Sequence, residues 1–134
     1  MPHRDAASLP SLDDLEALAR AAFAALPAEF RALTGDIVFR VADFPDRGTI
    51  AALGLSSGYE LLGLFHGAPL SAHVANAAGP EPTMIFLYRK PILNFWERGA
   101  DSLAAIVRNV LIHEIGHHFG LSDADMDAIE TAAE

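Results

Sequence analysis

Apolar residues recur every three or four positions in two long stretches of this chain, a spacing that places them on one face of an α-helix. The first stretch predicts a helix over residues 11–26, in which Ser11 is the N-cap. The second predicts a longer helix that begins after an N-cap at Asp101 or Ser102. Its apolar face is formed by Leu103, Ile106, Val107, Val110 and Leu111. Both faces need a partner surface to cover them.

Three other segments have the composition of β-strands. Residues 36–41 alternate between apolar and polar, residues 60–66 lie between turn signals, and residues 83–88 are almost wholly apolar. The last pattern is typical of a central strand that is covered on both faces. Gly63 within the second segment indicates a bulge or the close approach of another backbone. Shorter elements are also predicted: a helical turn over residues 49–55, a return strand over 70–74, a loop over 76–82, a short helix over 91–96 and a last helix over 123–131.

Together these elements predict an α+β fold, with a small mixed β-sheet of three or four strands packed on the long helix. The chain has 134 residues, enough for one domain with a sizeable core. We therefore expect a single domain over residues 1–134, in which residues 1–10 form a flexible arm.

Composition narrows the classes of function. About half of the residues are apolar (51%) and 20% are charged, as in globular proteins. The formal net charge of −9 argues against nucleic acid and against anionic membrane surfaces as partners. The absence of cysteine excludes disulfides and cysteine-based zinc sites. We find neither a secretory signal nor an apolar run of membrane-spanning length, so we expect a cytoplasmic protein.

The chemistry is concentrated in one motif near the C-terminus, H-E-x-x-H-x-x-G-x-x-D. His113 and His117 lie one helical turn apart, so both imidazoles can bind one tetrahedral Zn²⁺ ion. Glu114 lies about 100° round the helix, beside the open coordination position, where it can take a proton from a water molecule. Gly120 can end the helix in the left-handed conformation. After that turn, Asp123 can bring a carboxylate to the ion as third ligand.

The acidic residues that follow the motif have explanations other than metal binding. An acid at the first position of a helix is stabilised by the helix dipole, which would account for Asp123 with no metal present. Asp125, Asp127 and Glu130 follow on the next helix, and we expect them to point along that helix rather than toward the metal. His118 faces about 100° away from the second histidine of the motif, so we place it at the surface or beside the site and not among the ligands.

The motif resembles the active-site helix of the zincin metallopeptidases, and its second half is similar to the metzincin extension with Asp in place of the third His. The stretch VLIHEIGHHFGLSD, near the end of a chain of this length, resembles the small bacterial minimal-zincin family. The resemblance implies a zinc metallopeptidase that hydrolyses peptide bonds through a metal-activated water, with Zn²⁺ held by His113, His117 and Asp123. Glu114 is then the general acid and base. It further implies that a peptide or unfolded protein pairs with the strand over residues 60–66.

A rival hypothesis is a zinc-binding structural or regulatory domain without catalytic turnover. A structural site has no use for a carboxylate beside an open position, so Glu114 favours the enzyme. A peptidase also needs a group that stabilises the oxyanion, and the sequence does not choose among its candidates. These candidates are Tyr59, His66, His73 and Tyr88. Core packing is expected for Phe95, Trp96, Phe119 and Met126.

Overall fold

The computed structural model describes residues 9–66 and 83–133. In this part of the chain a three-stranded mixed sheet packs on helices, which confirms the predicted α+β fold. The elements in chain order are α1 (Leu12–Ala24), α2 (Ala28–Arg31), β1 (Val38–Ala42), α3 (Arg47–Ala52), a 3₁₀ turn (Gly58–Glu60), β2 (Gly63–His66), β3 (Met84–Tyr88), α4 (Arg89–Arg98), α5 (Leu103–His118) and α6 (Asp123–Ala133). The predicted return strand over residues 70–74 and the loop over 76–82 lie outside the described residues.

β3 is the central strand, as its apolar sequence predicts. It runs parallel to β1 and antiparallel to β2, so that the described sheet has the order β1-β3-β2 with β2 at one edge. Because side chains alternate along a strand, Phe65, Ile85 and Leu87 share one buried face, which packs toward α5. Leu64 and Phe86 stand on the opposite face.

Two helices cover the buried face of the sheet. α1 begins in a capping box, in which the Asp14 N–H donates to Ser11 Oγ (3.1 Å) and the Ser11 N–H donates to the Asp14 carboxylate (2.8 Å). Its apolar face contacts α5 and β1, and Phe23 meets Phe39 edge to face at 6.0 Å between ring centroids. The fully buried side chains of α5 are Val107, Leu111, Ile112 and Ile115.

The ends of the two C-terminal helices follow the sequence signals. Ser102 Oγ caps α5 by accepting from the Ala105 N–H at 3.1 Å. Gly120 follows α5 with φ at 78°, the left-handed conformation that glycine adopts without strain. Ser122 and Asp125 form the predicted capping box at the start of α6. The turn at Gly120 therefore folds α6 back against α5.

Four local expectations differ from the structure. The strand expected from residue 60 begins only at Gly63, because the Ser57 hydroxyl caps a 3₁₀ turn before it. The short helix expected over 91–96 spans Arg89–Arg98, since proline is tolerated in the first turn of a helix. The helical turn expected over residues 49–55 begins earlier, as α3 (Arg47–Ala52), because Asp46 caps it. Phe95 is 51% exposed and is not a core residue.

The N-terminal segment is attached at its described end. Leu9 packs against the core, and the Arg89 side chain donates a hydrogen bond to the Pro10 carbonyl oxygen at 2.6 Å. Among the described helices, none combines the length and the apolar character needed to cross a membrane.

Candidate active site

α5 brings His113 and His117 to one surface, as the four-residue spacing predicts. Their ring centroids are 5.8 Å apart and the ring planes meet at 57°. Two imidazoles bound to one tetrahedral zinc through nitrogens at about 2.0–2.1 Å have centroids about 5 Å apart. Small side-chain rotations therefore bring this pair to the separation that a shared zinc ion requires.

Glu114 points from the same helix toward strand β2. Its carboxylate accepts a hydrogen bond from the backbone N–H of Phe65. Burial raises the pKa of this carboxyl above its ordinary value, although the charges of His117 and His113 and the Phe65 hydrogen bond act in the opposite direction. The group is thus a partly buried carboxylate that holds a proton more readily than an exposed glutamate does.

The contact with Glu114 involves the outer edge of β2, which pairs with no other strand in the part of the chain that the structure describes. The Tyr88 N–H donates to the Leu62 carbonyl at 2.9 Å, which makes these two residues a hydrogen-bonded pair of the antiparallel ladder. Because such pairs alternate with non-hydrogen-bonded ones, Gly63 and Phe65 direct their N–H and C=O groups away from β3. The backbone groups of the outer edge therefore face the side on which Glu114 lies.

Gly63 allows β2 to pack closely against α5, because glycine has no side chain at the contact. A Cβ atom on this residue would lie 2.7 Å from Val110 Cγ1 and 2.9 Å from the carbonyl oxygen of Phe86. No other residue fits here without a displacement of strand or helix. The glycine in the strand thus marks the close approach that the sequence indicated, and it sets the distance between the edge strand and the helix of the motif.

A groove of about 340 Å³ adjoins the histidine pair between residues 60–63 and α5. His113 and Glu114 form part of its wall. Its apolar lining includes Leu62, Phe95, Ile106 and Val110. The carboxylates of Glu60 and Asp101 also line it, so the groove combines an apolar surface with negative charge.

Asp123 is the exposed first residue of α6. Within residues 9–66 and 83–133, no three His, Asp or Glu side chains converge closely enough to hold a metal ion. The structure therefore brings His113, Glu114 and His117 to one surface but does not add Asp123 to them as a ready-made third ligand. Its role as a ligand stays a prediction.

Glu130 is a carboxylate that contacts His113, and our expectation that it points along α6 is wrong. Its Oε1 atom lies 2.6 Å from Nε2 of His113. This oxygen is buried and has no hydrogen-bond partner among the described residues. The sequence held one signal for this position, because Glu130 follows Met126 by four residues and so shares its face of the helix. Met126 is fully buried against α5.

The two imidazoles fit zinc chemically, because histidine nitrogen is a usual ligand of catalytic zinc sites. A third ligand does not stand beside them among the described residues, so a carboxylate would have to move to complete the set. His118 does not belong to this set: its ring packs on Phe65 at 4.3 Å between centroids, beside the site as expected.

Of the predicted oxyanion candidates, none of the three described residues lines the groove beside His113 and Glu114. His66 and Tyr88 belong to the face of the sheet turned away from α5, where with Asp46 they line a second cavity of about 350 Å³. Burial raises the pKa of Tyr88, and the charges of Asp46 and Glu114 add to this effect. Tyr59 is 48% exposed and packs edge to face on Phe44. His73 lies outside the described residues.

Comparison with known proteins agrees with this geometry. No curated protein matches the chain. The sequence model of the family described as "Zincin-like metallopeptidase" matches residues 34–133, about three quarters of the chain, from just before β1 to the end of α6. This match includes the sheet, the two-histidine helix and the helix that carries Glu130. The chain therefore belongs to the zincin-like metallopeptidase family.

Proposed function

We propose that this protein is a zinc-dependent peptidase that hydrolyses a peptide laid along the outer edge of β2, the edge that pairs with no other strand of the described residues. The observation that carries the proposal is the position of Glu114. Its carboxylate lies at the Phe65 N–H of the edge strand, next to two histidines of the same helix. A proton-transferring group, a pair of metal ligands and a strand edge for substrate pairing thus meet at one surface. Membership of the family supports the same chemistry.

The metal ligands in this proposal are His113 and His117, with Asp123 as the third ligand that the motif predicts. When bound, zinc supplies a Lewis acid that activates water and polarises the carbonyl group of the substrate. The protein must hold this ion with neutral imidazoles, leave one coordination position open and place a base beside it.

Glu114 serves as that base. Its carboxylate takes a proton from the water molecule that attacks the carbonyl carbon, and it later delivers this proton to the nitrogen that leaves when the C–N bond breaks. A carboxyl whose pKa is raised by burial suits both steps, because it accepts and releases the proton closer to neutral pH. Glu114 must be ionised for the first step, so activity should rise with pH through its pKa.

Strand β2 and the adjoining groove are proposed to bind the substrate. The outward N–H and C=O groups of Gly63 and the C=O group of Phe65 can pair with one peptide strand, while the Phe65 N–H donates to Glu114. The groove then receives a side chain of that peptide, and its wall of Leu62, Ile106 and Val110 favours an apolar one. The carboxylates of Glu60, Asp101 and Glu114 in its wall and the net charge of −9 disfavour acidic peptides. We therefore expect unfolded, apolar, neutral or basic peptides as substrates, and a cytoplasmic location as predicted from the sequence.

Glu114→Gln tests the proposal against a metal-binding domain without turnover. The amide keeps the shape and can still accept the Phe65 hydrogen bond, but it cannot take a proton. We expect zinc content to be unchanged and kcat on a peptide library to fall by roughly 10²–10⁴-fold. Glu97→Gln, at an exposed position on α4, is the matched control and should retain full activity. A zinc-loaded wild-type protein that cleaves no peptide in the library would refute the peptidase.

A further inference from the structure

The groove beside His113 and Glu114 adjoins a further cavity of about 370 Å³, which we call the far cavity. Leu62 and Phe95 line both, so the groove and the far cavity lie next to each other on one surface. The other residues that line the far cavity are Tyr59, Pro91, Asn94, Arg98 and Gly99. A peptide that extends from the histidine pair along the groove therefore reaches the far cavity next.

Helix α4 supplies most of the wall of the far cavity. Pro91, Asn94, Phe95 and Arg98 are spaced three or four residues apart, so they share one face of the helix. This helix contacts the 3₁₀ turn that carries Tyr59. Arg98 forms no ion pair and no hydrogen bond with any residue of 9–66 or 83–133. Its guanidinium group is exposed and lies at the mouth of the cavity as an available donor.

The groove and the far cavity carry opposite charges. Glu60, Asp101 and Glu114 line the groove, whereas Arg98 is the one charged residue among the described residues that line the far cavity. The Glu60 carboxylate is already engaged in the 3₁₀ turn, where it accepts the Ser57 N–H at 3.0 Å. A negative group of a bound peptide is therefore repelled in the groove and attracted at the far cavity.

This distribution of charge selects one direction for a peptide that pairs with β2. Arg98 repels the ammonium group at the start of a peptide and attracts the carboxylate at its end, so the peptide runs with its C-terminus toward the far cavity. From Phe65, whose N–H meets Glu114, to Leu62 the chain advances three residues, or about 10 Å at about 3.3 Å per residue. The C-terminus then lies roughly two to four residues beyond the bond that is cleaved.

We propose that the far cavity binds the C-terminal carboxylate of the substrate peptide, with Arg98 as the specificity-determining residue. A guanidinium group can donate two parallel hydrogen bonds to a carboxylate. The rings of Tyr59 and Phe95, which are 48% and 51% exposed, offer apolar surface to the last side chains of the peptide. This inference rests on the proposed function and deepens it, because the enzyme would then release short fragments from the C-terminus of peptides.

Arg98 also has a structural explanation that involves no ligand. It lies in the last turn of α4, where a cation interacts favourably with the helix dipole. That role predicts a small change in stability when the charge is removed. It predicts no difference between peptides that end in a carboxylate and peptides that end in an amide, so binding measurements separate the two roles.

The test measures peptide binding by fluorescence anisotropy in the presence of zinc, on the Glu114→Gln protein, which should not cleave its ligand. The probes are short dansylated peptides of alanine, leucine and lysine with three different ends: a free carboxylate, an amide, and an amide on a final glutamate. A contact between exposed charges contributes little, and two parallel hydrogen bonds contribute more. We therefore expect the free carboxylate to bind roughly 5–10-fold more tightly than either amide.

Substitutions assign this preference to one side chain. Adding Arg98→Gln should remove it, and adding Arg98→Lys should restore part of it, because lysine keeps the charge without the paired donors. Arg47→Gln is the matched control, since Arg47 is exposed, lines neither the groove nor the far cavity, and changes the net charge equally. The preference should also shrink as the ionic strength rises. Circular dichroism checks that each variant folds.

The outcomes distinguish this inference from the peptidase itself. Equal binding of the carboxylate and the amide, no binding of any probe, or an equal loss of preference in Arg47→Gln and Arg98→Gln would each overturn the inference. If the glutamate amide binds as tightly as the free carboxylate, a side chain is recognised and the terminal assignment is wrong. Cleavage by the wild type that is indifferent to amidation overturns the inference and leaves the peptidase standing. A carboxylate preference that depends on Arg98, without any cleavage by the wild type, upholds it and refutes the peptidase.

Discussion

Gly63→Ala is the substitution that tests most directly whether the approach of β2 to α5 organises the site. One methyl group would be added where the nearest atoms are Val110 Cγ1 at 2.7 Å and the Phe86 carbonyl oxygen at 2.9 Å. Ordinary contacts of a Cβ atom begin at 3.4 Å, so the new atom falls short by about 0.7 Å and about 0.5 Å. The Val110 side chain can turn away, but the Phe86 oxygen belongs to the backbone of the central strand. The strain therefore has to be relieved by a shift of β2.

Two opposing effects set the size of the stability change. Overpacking of a buried site typically costs about 1–3 kcal/mol. Replacing glycine by alanine within an element returns about 0.5–1 kcal/mol, because the unfolded chain loses less freedom on folding. We expect a net loss in the free energy of unfolding of about 0.5–2 kcal/mol, measured by urea denaturation of the metal-free protein. The value of kcat/KM should fall by a larger factor than the folding equilibrium constant, since a misplacement of catalytic groups by about 1 Å can reduce the rate about 10²-fold.

Gly48→Ala provides the matched control. This residue lies in α3, and a Cβ atom there would meet only Asp46 Oδ1, at 3.4 Å. The same chemical change should therefore stabilise the fold by about 0.5–1 kcal/mol and leave kcat/KM unchanged. Our reasoning is refuted if both variants gain stability, because Gly63 would then have no steric role. It is also refuted if Gly63→Ala loses stability at full activity, because the spacing of β2 and α5 would not matter for the chemistry.

Three further predictions concern single side chains. Met126→Ala should lower the free energy of unfolding by about 2–5 kcal/mol, because it leaves a cavity at the fully buried contact between α6 and Gly116. It should also weaken zinc binding. A loss below about 1 kcal/mol would contradict this packing. Ser102→Ala removes the N-cap of α5 and should cost about 1 kcal/mol in urea denaturation, and an unchanged midpoint would show that the cap is not needed. The raised pKa of Glu114 means that its ionised form destabilises the metal-free fold above that pKa. Glu114→Gln should thus be more stable than the wild type at neutral pH, with a difference that shrinks as the pH falls toward the ordinary value of a glutamate; a difference independent of pH would refute this.

The features that could be predicted from the sequence are those set by neighbours along the chain. The caps at Ser11 and Ser102, the left-handed turn at Gly120 and the central position of β3 all follow from local spacing or composition. The placing of both motif histidines on one surface follows in the same way from the four-residue repeat. Each of these required only the geometry of one helix, one turn or one strand.

The features that escaped prediction depend on contacts between distant segments. Glu130 reaches His113 only because α6 folds back and Met126 packs closely on Gly116. The residues next to Glu130 in the sequence do not indicate how closely the two helices pack. Phe95 has the sequence character of a core aromatic, yet it lines the open groove because α4 turns it outward. Side-chain type and spacing identify residues that could belong to the site, whereas the packing of one element on another decides which of them lie there.

The two glycines that control helix and strand spacing explain how so short a chain can build such a site. Gly63 allows β2 to touch α5 on one side, and Gly116 allows α6 to touch it on another. At both places a methyl group would come within 3.0 Å of its neighbours, so neither approach is available to another residue without displacement. At the Gly63 contact the Phe65 N–H lies within reach of Glu114, and at the Gly116 contact α6 brings Glu130 against His113. In the proposed function, the contact at Gly63 places the base, and the contact at Gly116 places α6, which begins at Asp123, the predicted third ligand. Substitutions at the two glycines should therefore have different effects: Gly63→Ala should impair peptide cleavage before zinc affinity, and Gly116→Ala should impair zinc affinity first.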